Sequence, residues 1–119
     1  MKILGLIGGT SWVSTIDYYR LINEGINARL GDLNFAECII HSFNYQDIKR
    51  NNDANDWDNT LAMMTAAGQN LKNSGAKAIV LCANTMHKIA DELERNIQLP
   101  VIHVAAVTAA AVKTAGYKK

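Results

Sequence analysis

Four times along this 119-residue chain, a short run rich in Ile, Val and Leu gives way to a longer segment with helical periodicity. Alternation of this kind allows few solutions. Strands separated by helix-length connections pair in parallel, and a parallel sheet must be covered on both faces, so the expected class is α/β: a four-stranded parallel sheet with helices on both faces. The first strand is expected over residues 3–7, followed by the turn Gly8-Gly9-Thr10-Ser11. A helix then runs over 12–30, with Ile16, Tyr19, Ile22 and Ile26 as its buried stripe, and Gly31 stops it. A second strand falls at about 35–41. The following stretch, 44–55, is so rich in Asn and Asp that it reads as a loop or frayed turn. Trp57, Leu61, Met64, Gly68 and Leu71 recur at spacings of four and three, which predicts a second amphipathic helix ending near Asn73. The third strand covers 78–81. A third helix is expected over 85–95, with Asn84 as its N-cap and Met86, Ile89, Ala90 and Leu93 facing inward. Pro100 opens a fourth strand over 101–104, and an alanine-rich helix over 105–115 ends at Gly116. Tyr117-Lys118-Lys119 reads as the lead into another strand.

Composition narrows the functional classes. Twelve Lys and Arg against eleven Asp and Glu leave a formal charge of +1, too small a field to gather nucleic acid or an anionic membrane, so the expected partner is a small molecule. The basic pairs Lys49-Arg50 and Lys118-Lys119 lack the interleaved aromatics of a single-strand binding groove. The apolar start runs into a glycine turn too early for a signal peptide. The apolar stretch 99–112 is interrupted by Pro100 and His103 and is too alanine-rich to span a bilayer. Two cysteines, Cys38 and Cys82, in strand-like segments are expected as free thiols in a reducing cytoplasm. The three histidines, His41, His87 and His103, are scattered, so no metal ligand set is expected.

The segment Leu81-Cys82-Ala83-Asn84-Thr85-Met86-His87 carries the chemistry. Cys82 ends an apolar strand, and helical periodicity resumes after Asn84, which sets the sulfur at the carboxyl edge of a parallel sheet beside a helix start. The macrodipole there is expected to ease the thiolate by about 0.3–2 kcal/mol, lowering the thiol pKa by little more than one unit. Such a group serves acid/base exchange as well as nucleophilic attack. Asn84 and Thr85 either serve only to cap the helix or also cradle a carboxylate. His87, one turn in, either orients the site or is simply packed. Gly8-Gly9 does not match the dinucleotide pattern Gly-x-Gly-x-x-Gly, so no nucleotide cofactor is expected. The pair lets backbone approach a ligand, and Thr10 and Ser11 cap the first helix or bind an anion. Cys38 is read as core.

Taken together, Gly5-Leu6-Ile7-Gly8-Gly9-Thr10-Ser11-Trp12, Tyr18-Tyr19-Arg20-Leu21-Ile22-Asn23 and Cys82-Ala83-Asn84-Thr85-Met86-His87 resemble the aspartate/glutamate racemases, particularly the broad-specificity bacterial amino-acid racemases. The resemblance covers essentially the whole chain. It implies two similar α/β domains facing each other across a cleft, each giving one cysteine, with no cofactor. One thiolate removes the α-proton from one face of the amino acid and the other thiol protonates the opposite face. By position, Cys82 is the implied catalytic residue, and Thr10, Ser11, Ala83, Asn84 and Thr85 the implied substrate-binding residues. Asn52, in the polar stretch near the cleft, is implied to help set specificity. Methionine is common in the family where Thr10 stands, a departure bearing on side-chain preference.

The resemblance also implies that residues 1–116 are an N-terminal racemase domain and 117–119 the start of a missing second one. The second cysteine has no counterpart, and Cys38 lies in the wrong strand to replace it. Proton transfer on opposite faces needs two groups, so the chain is expected to hold half a site and to be inactive alone. A homodimer is expected from the uncovered cleft face. Two other readings stay open: a non-catalytic ligand-binding or self-associating module, and a related dicarboxylate isomerase or decarboxylase.

Overall fold

The computed structural model describes residues 2–9, 12–82 and 89–102 of the chain. Four parallel strands form one sheet: β1 (Leu4–Gly8), β2 (Cys38–Ser42), β3 (Ala78–Leu81) and β4 (Val101–Ile102). Their order is β2-β1-β3-β4. The register sets Leu4 opposite both Cys38 and Ala78, and Ile79 opposite Val101. The chain leaves β1 in one direction to reach β2 and in the other to reach β3. Right-handed crossovers therefore place the first connecting helix on one face of the sheet and the later ones on the opposite face.

Side-chain alternation along β1 feeds both faces. Leu4 and Leu6 pack with Val80 and Cys82 under Tyr18 and Ile22 of α1 (Trp12–Leu30). Ile7, Ile79 and Leu81 pack with the helices of the other face: α2 (Tyr45–Asp53), α3 (Trp57–Asn73) and α4 (Ala90–Ile97). Met64, Ala67 and Leu71 of α3 interleave there with Ala90, Leu93 and Ile97 of α4. Lys72 Nζ donates to the Ile97 carbonyl at 3.0 Å, and Glu94 Oε1 accepts from the Val101 amide at 2.9 Å, tying α4 into the sheet.

The expected fold class is the observed one, with β3 and α3 where periodicity puts them. Four local expectations change. The buried stripe of α1 is rotated: Ile16 and Tyr19 are exposed, whereas Thr15 and Ile26 are buried and Tyr18 and Ile22 half-buried. The cause is the glycine turn, since Thr15 Oγ1 accepts from the Gly9 amide at 3.1 Å and fixes which way the helix faces. Residues 44–55 are not a loop. They form α2, whose Ile48 is fully buried while Lys49–Asp53 and Asp47–Arg50 pair in solvent, so one apolar anchor suffices to seat a polar helix. The second strand begins three residues later than expected, at Cys38, because 31–37 form a loop held by Asn27 Nδ2 donating to the Asp32 and Asn34 carbonyls. The third expected helix is described over Ala90–Ile97 and ends in a left-handed Gln98, so it extends two residues past its expected end. The expected N-cap Asn84, the continuation of the fourth strand past Ile102, the helix over 105–115 and the segment 117–119 lie outside the described residues.

Candidate functional site

In an order β2-β1-β3-β4 the chain reverses direction between β1 and β3. The carboxyl ends of those two strands bound the crevice in which open α/β sheets bind ligands. Cys82 stands there. Its amide donates to the Ile7 carbonyl at 3.0 Å, extending the β1–β3 ladder one step past the last paired residues. Beside it, the Phe43 amide donates to the Gly8 carbonyl at 2.9 Å, which folds the β2–α2 connection over the end of β1.

These contacts explain the glycine pair. Gly9 has φ 85°, and a Cβ there would meet the Phe43 backbone nitrogen and oxygen; a Cβ on Gly8 would meet Thr15 Oγ1. The glycines are required by the protein's own packing at the rim, before any ligand is considered.

The electrostatics of Cys82 are the reverse of the sequence expectation. Its side chain has no solvent exposure, lies among Leu4, Leu6 and Val80, and directs its thiol at the Val80 carbonyl, 3.8 Å away. Burial, and secondarily the charge of Cys38, push the Cys82 thiol up to about 12. The causes of the shift are burial first and Cys38 second, and the residues expected to form the helix start beside the thiol, 83–88, lie outside the described residues. In this state ionising Cys82 at neutral pH costs about 7 kcal/mol. Cys38, half-buried on the same side of the sheet, is also raised by burial, and Tyr18 is raised by burial and by its proximity to Cys82. The two cysteines are free, as expected.

Asn52 lies on the α2–α3 elbow. The elbow belongs to the same rim: α2 starts just past the end of β2, and α3, about 25 Å long, runs back along a sheet about 16 Å tall to deliver the chain to the start of β3. Asn51 Oδ1 accepts from Asn59 Nδ2 at 2.8 Å and Asn51 Nδ2 contacts Met63 Sδ at 3.3 Å, joining the two helices. Asp56 caps α3, accepting from the Asn59 amide at 3.0 Å. Two buried side-chain atoms among the described residues have no hydrogen-bond partner, Asn52 Oδ1 and Thr60 Oγ1. Each such group costs about 1–3 kcal/mol.

Two of the seven expected site residues lie among the described residues, Cys82 one residue past β3 and Asn52 in the last turn of α2. Thr10, Ser11, Ala83, Asn84 and Thr85, together with His87, lie outside the described residues. Sequence reasoning gave no individual role to Thr15, Tyr18 or Thr60. Thr60 had a signal: it falls on the inward stripe of α3, one turn before Met64, where an apolar residue is the ordinary choice. Among the described residues no cluster of three or more His, Cys, Asp or Glu could hold a metal ion, and no helix is long and apolar enough to cross a membrane.

Residues 7–119 match the family described as Asp/Glu/Hydantoin racemase. The crystal structure of a candidate Asp/Glu racemase from Yersinia pestis is similar, with 46% identity and a TM-score of 0.87 over 98% of this chain and 50% of that one. An aspartate racemase homologue from Pyrococcus horikoshii is similar at 30% identity and a TM-score of 0.78, over 87% of this chain and 45% of that one. The chain spans about half the length of these solved relatives.

Proposed function

Because the chain belongs to the Asp/Glu/hydantoin racemase family, we propose that it supplies one half-site of a cofactor-independent amino-acid racemase acting on aspartate- or glutamate-like substrates. The observation that carries this reading is the place of Cys82, one residue past β3 at the switch point between β1 and β3. In the proposed mechanism Cys82 exchanges a proton with the substrate α-carbon on one face, and a thiol from a second, similar half serves the other face. The negative charge that develops on the α-carbon passes into the adjacent carboxylate, and backbone and side-chain donors of Thr10, Ser11, Ala83, Asn84 and Thr85 hold the carboxylate and amino groups. Asn52, from the α2–α3 elbow, engages the side chain and sets preference.

The elevated thiol pKa gives the mechanism a requirement. A substrate ammonium beside Cys82 favours the thiolate, and displacement of apolar neighbours relieves its desolvation, so ionisation is coupled to substrate binding. That coupling keeps the base neutral until it has something to deprotonate. The reading includes a cytoplasmic enzyme and a homodimer, the latter supported by Trp12 and Ile16, 65% and 53% exposed on the outer side of α1.

The test is exchange of the α-hydrogen of each enantiomer of aspartate and glutamate in deuterated water, using the two-domain enzyme. Cys82→Ser is expected to abolish exchange from one enantiomer; undiminished exchange from both removes Cys82 from the mechanism. A second reading, a non-catalytic ligand-binding or self-associating module, is favoured by the sealed state of Cys82. Saturable aspartate binding with no exchange by the two-domain enzyme would select it.

A further inference from the structure

The α2–α3 elbow holds a mismatch that racemase chemistry at Cys82 does not use. Thr60 is completely buried, yet its hydroxyl neither gives nor receives a hydrogen bond. A threonine in a helix ordinarily bonds back to the carbonyl four residues earlier. Here the Asp56 carbonyl accepts from the Thr60 backbone amide at 3.2 Å, and the hydroxyl is left over. Valine has the same shape and would fill the position without an unpaired group, so packing alone does not call for threonine.

The other unpartnered buried atom, Asn52 Oδ1, belongs to the helix that this joint connects to α3. Asn51 and Asn59 are in direct contact across it, at 2.8 Å, and the next residue along each helix is Asn52 and Thr60. Both helices bury their neighbouring turns in one cluster, Ile48 below Asn52 and Met64 beyond Thr60. Asn52 Oδ1 is an acceptor lacking a donor, and the Thr60 hydroxyl is a donor lacking an acceptor. Each is the partner the other lacks.

We infer that Thr60 is a positioning residue for Asn52: its hydroxyl donates to Asn52 Oδ1 when a substrate carboxylate draws the Asn52 amide N–H group into the cleft. In the free chain Asn52 Oδ1 and the Thr60 hydroxyl do not bond to each other, and binding has to move the Asn52 side chain to bring them together. With ligand bound, the Thr60 bond holds the amide plane so that Nδ2 points at the carboxylate. The inference rests on the proposed role of Asn52 in substrate binding, and it adds the residue that fixes the geometry of that contact.

Thr60→Val, Thr60→Ser, Asn52→Ala and the Thr60→Val/Asn52→Ala double variant of the two-domain enzyme test it. Without ligand, Thr60→Val is expected to raise Tm by about 2–6 °C, because it removes an unpaired buried hydroxyl, and to add independently to Asn52→Ala. With aspartate or glutamate, Thr60→Val is expected to raise KM about tenfold with kcat within about twofold, Thr60→Ser to behave as wild type, and Thr60→Val to add nothing in the Asn52→Ala background. A lowered Tm or failure to fold in Thr60→Val shows that the hydroxyl is already partnered and overturns the inference. So does an unchanged KM, or a full KM effect in the absence of Asn52. If wild type exchanges no α-hydrogen, the racemase reading fails by itself, and the ligand-free Tm cycle decides whether Thr60 is held free.

Discussion

Among the described residues, the two faces of the sheet bury clusters of different size. Beneath α3 and α4, twelve buried residues interlock, ten of them from three helices and three strand positions and two, Ala76 and Ile89, from the connections. Beneath α1, the described buried cluster is Leu4, Leu6, Val80 and Cys82, roofed by half-buried Tyr18 and Ile22. The larger described cluster lies under α3 and α4, and the smaller one contains the thiol on which the proposed chemistry depends.

The comparison breaks if the two faces respond alike to truncation. Leu93→Ala in the larger cluster is expected to cost about 2–5 kcal/mol in urea unfolding, because α3 and α4 cannot close around the lost volume. Ile22→Ala against the smaller cluster is expected to cost about 1 kcal/mol, since that side chain already touches solvent.

Alkaline pH sharpens the comparison further. In the unfolded chain the Cys82 thiol ionises near 9.0, and in the fold it does so only at about 12. Between those values the unfolded state has released its proton and the folded state has not, so stability is level below pH 9 and falls as pH rises toward 12. The loss from this group reaches about 4 kcal/mol at most. Cys82→Ala is expected to flatten that part of the stability curve, measured by denaturant unfolding at pH 8, 9 and 10. An unchanged slope would mean the thiol is not sealed under α1.

The smallest effect is expected at the surface of α2. Lys49 and Asp53 pair at 2.9 Å with both side chains largely exposed, and Lys49→Ala is expected to leave Tm unchanged within measurement. A clear loss would show that α2 is held by its charges and not by Ile48.

Much of this was legible in the residues themselves. The βα alternation, the class of sheet, the α3 stripe from Trp57 to Leu71 and the placing of Cys82 at a strand end all follow from periodicity and turn chemistry, which act over a few residues. The α2 helix was not legible, because a single buried Ile48 among Asn, Asp and Lys carries no period. Nor was the rotation of α1, decided by Thr15 bonding to Gly9 across the turn.

Sequence alone determined the alternation of strands with helices, α2 apart, and that a thiol follows the third strand, because those are consequences of local pattern. Tertiary structure alone decided what that thiol is. Its pKa depends on which side chains surround the sulfur, Leu4 and Leu6 from one strand, Val80 from another and Tyr18 from α1, and no local rule states how far a group brought together from distant segments is removed from water.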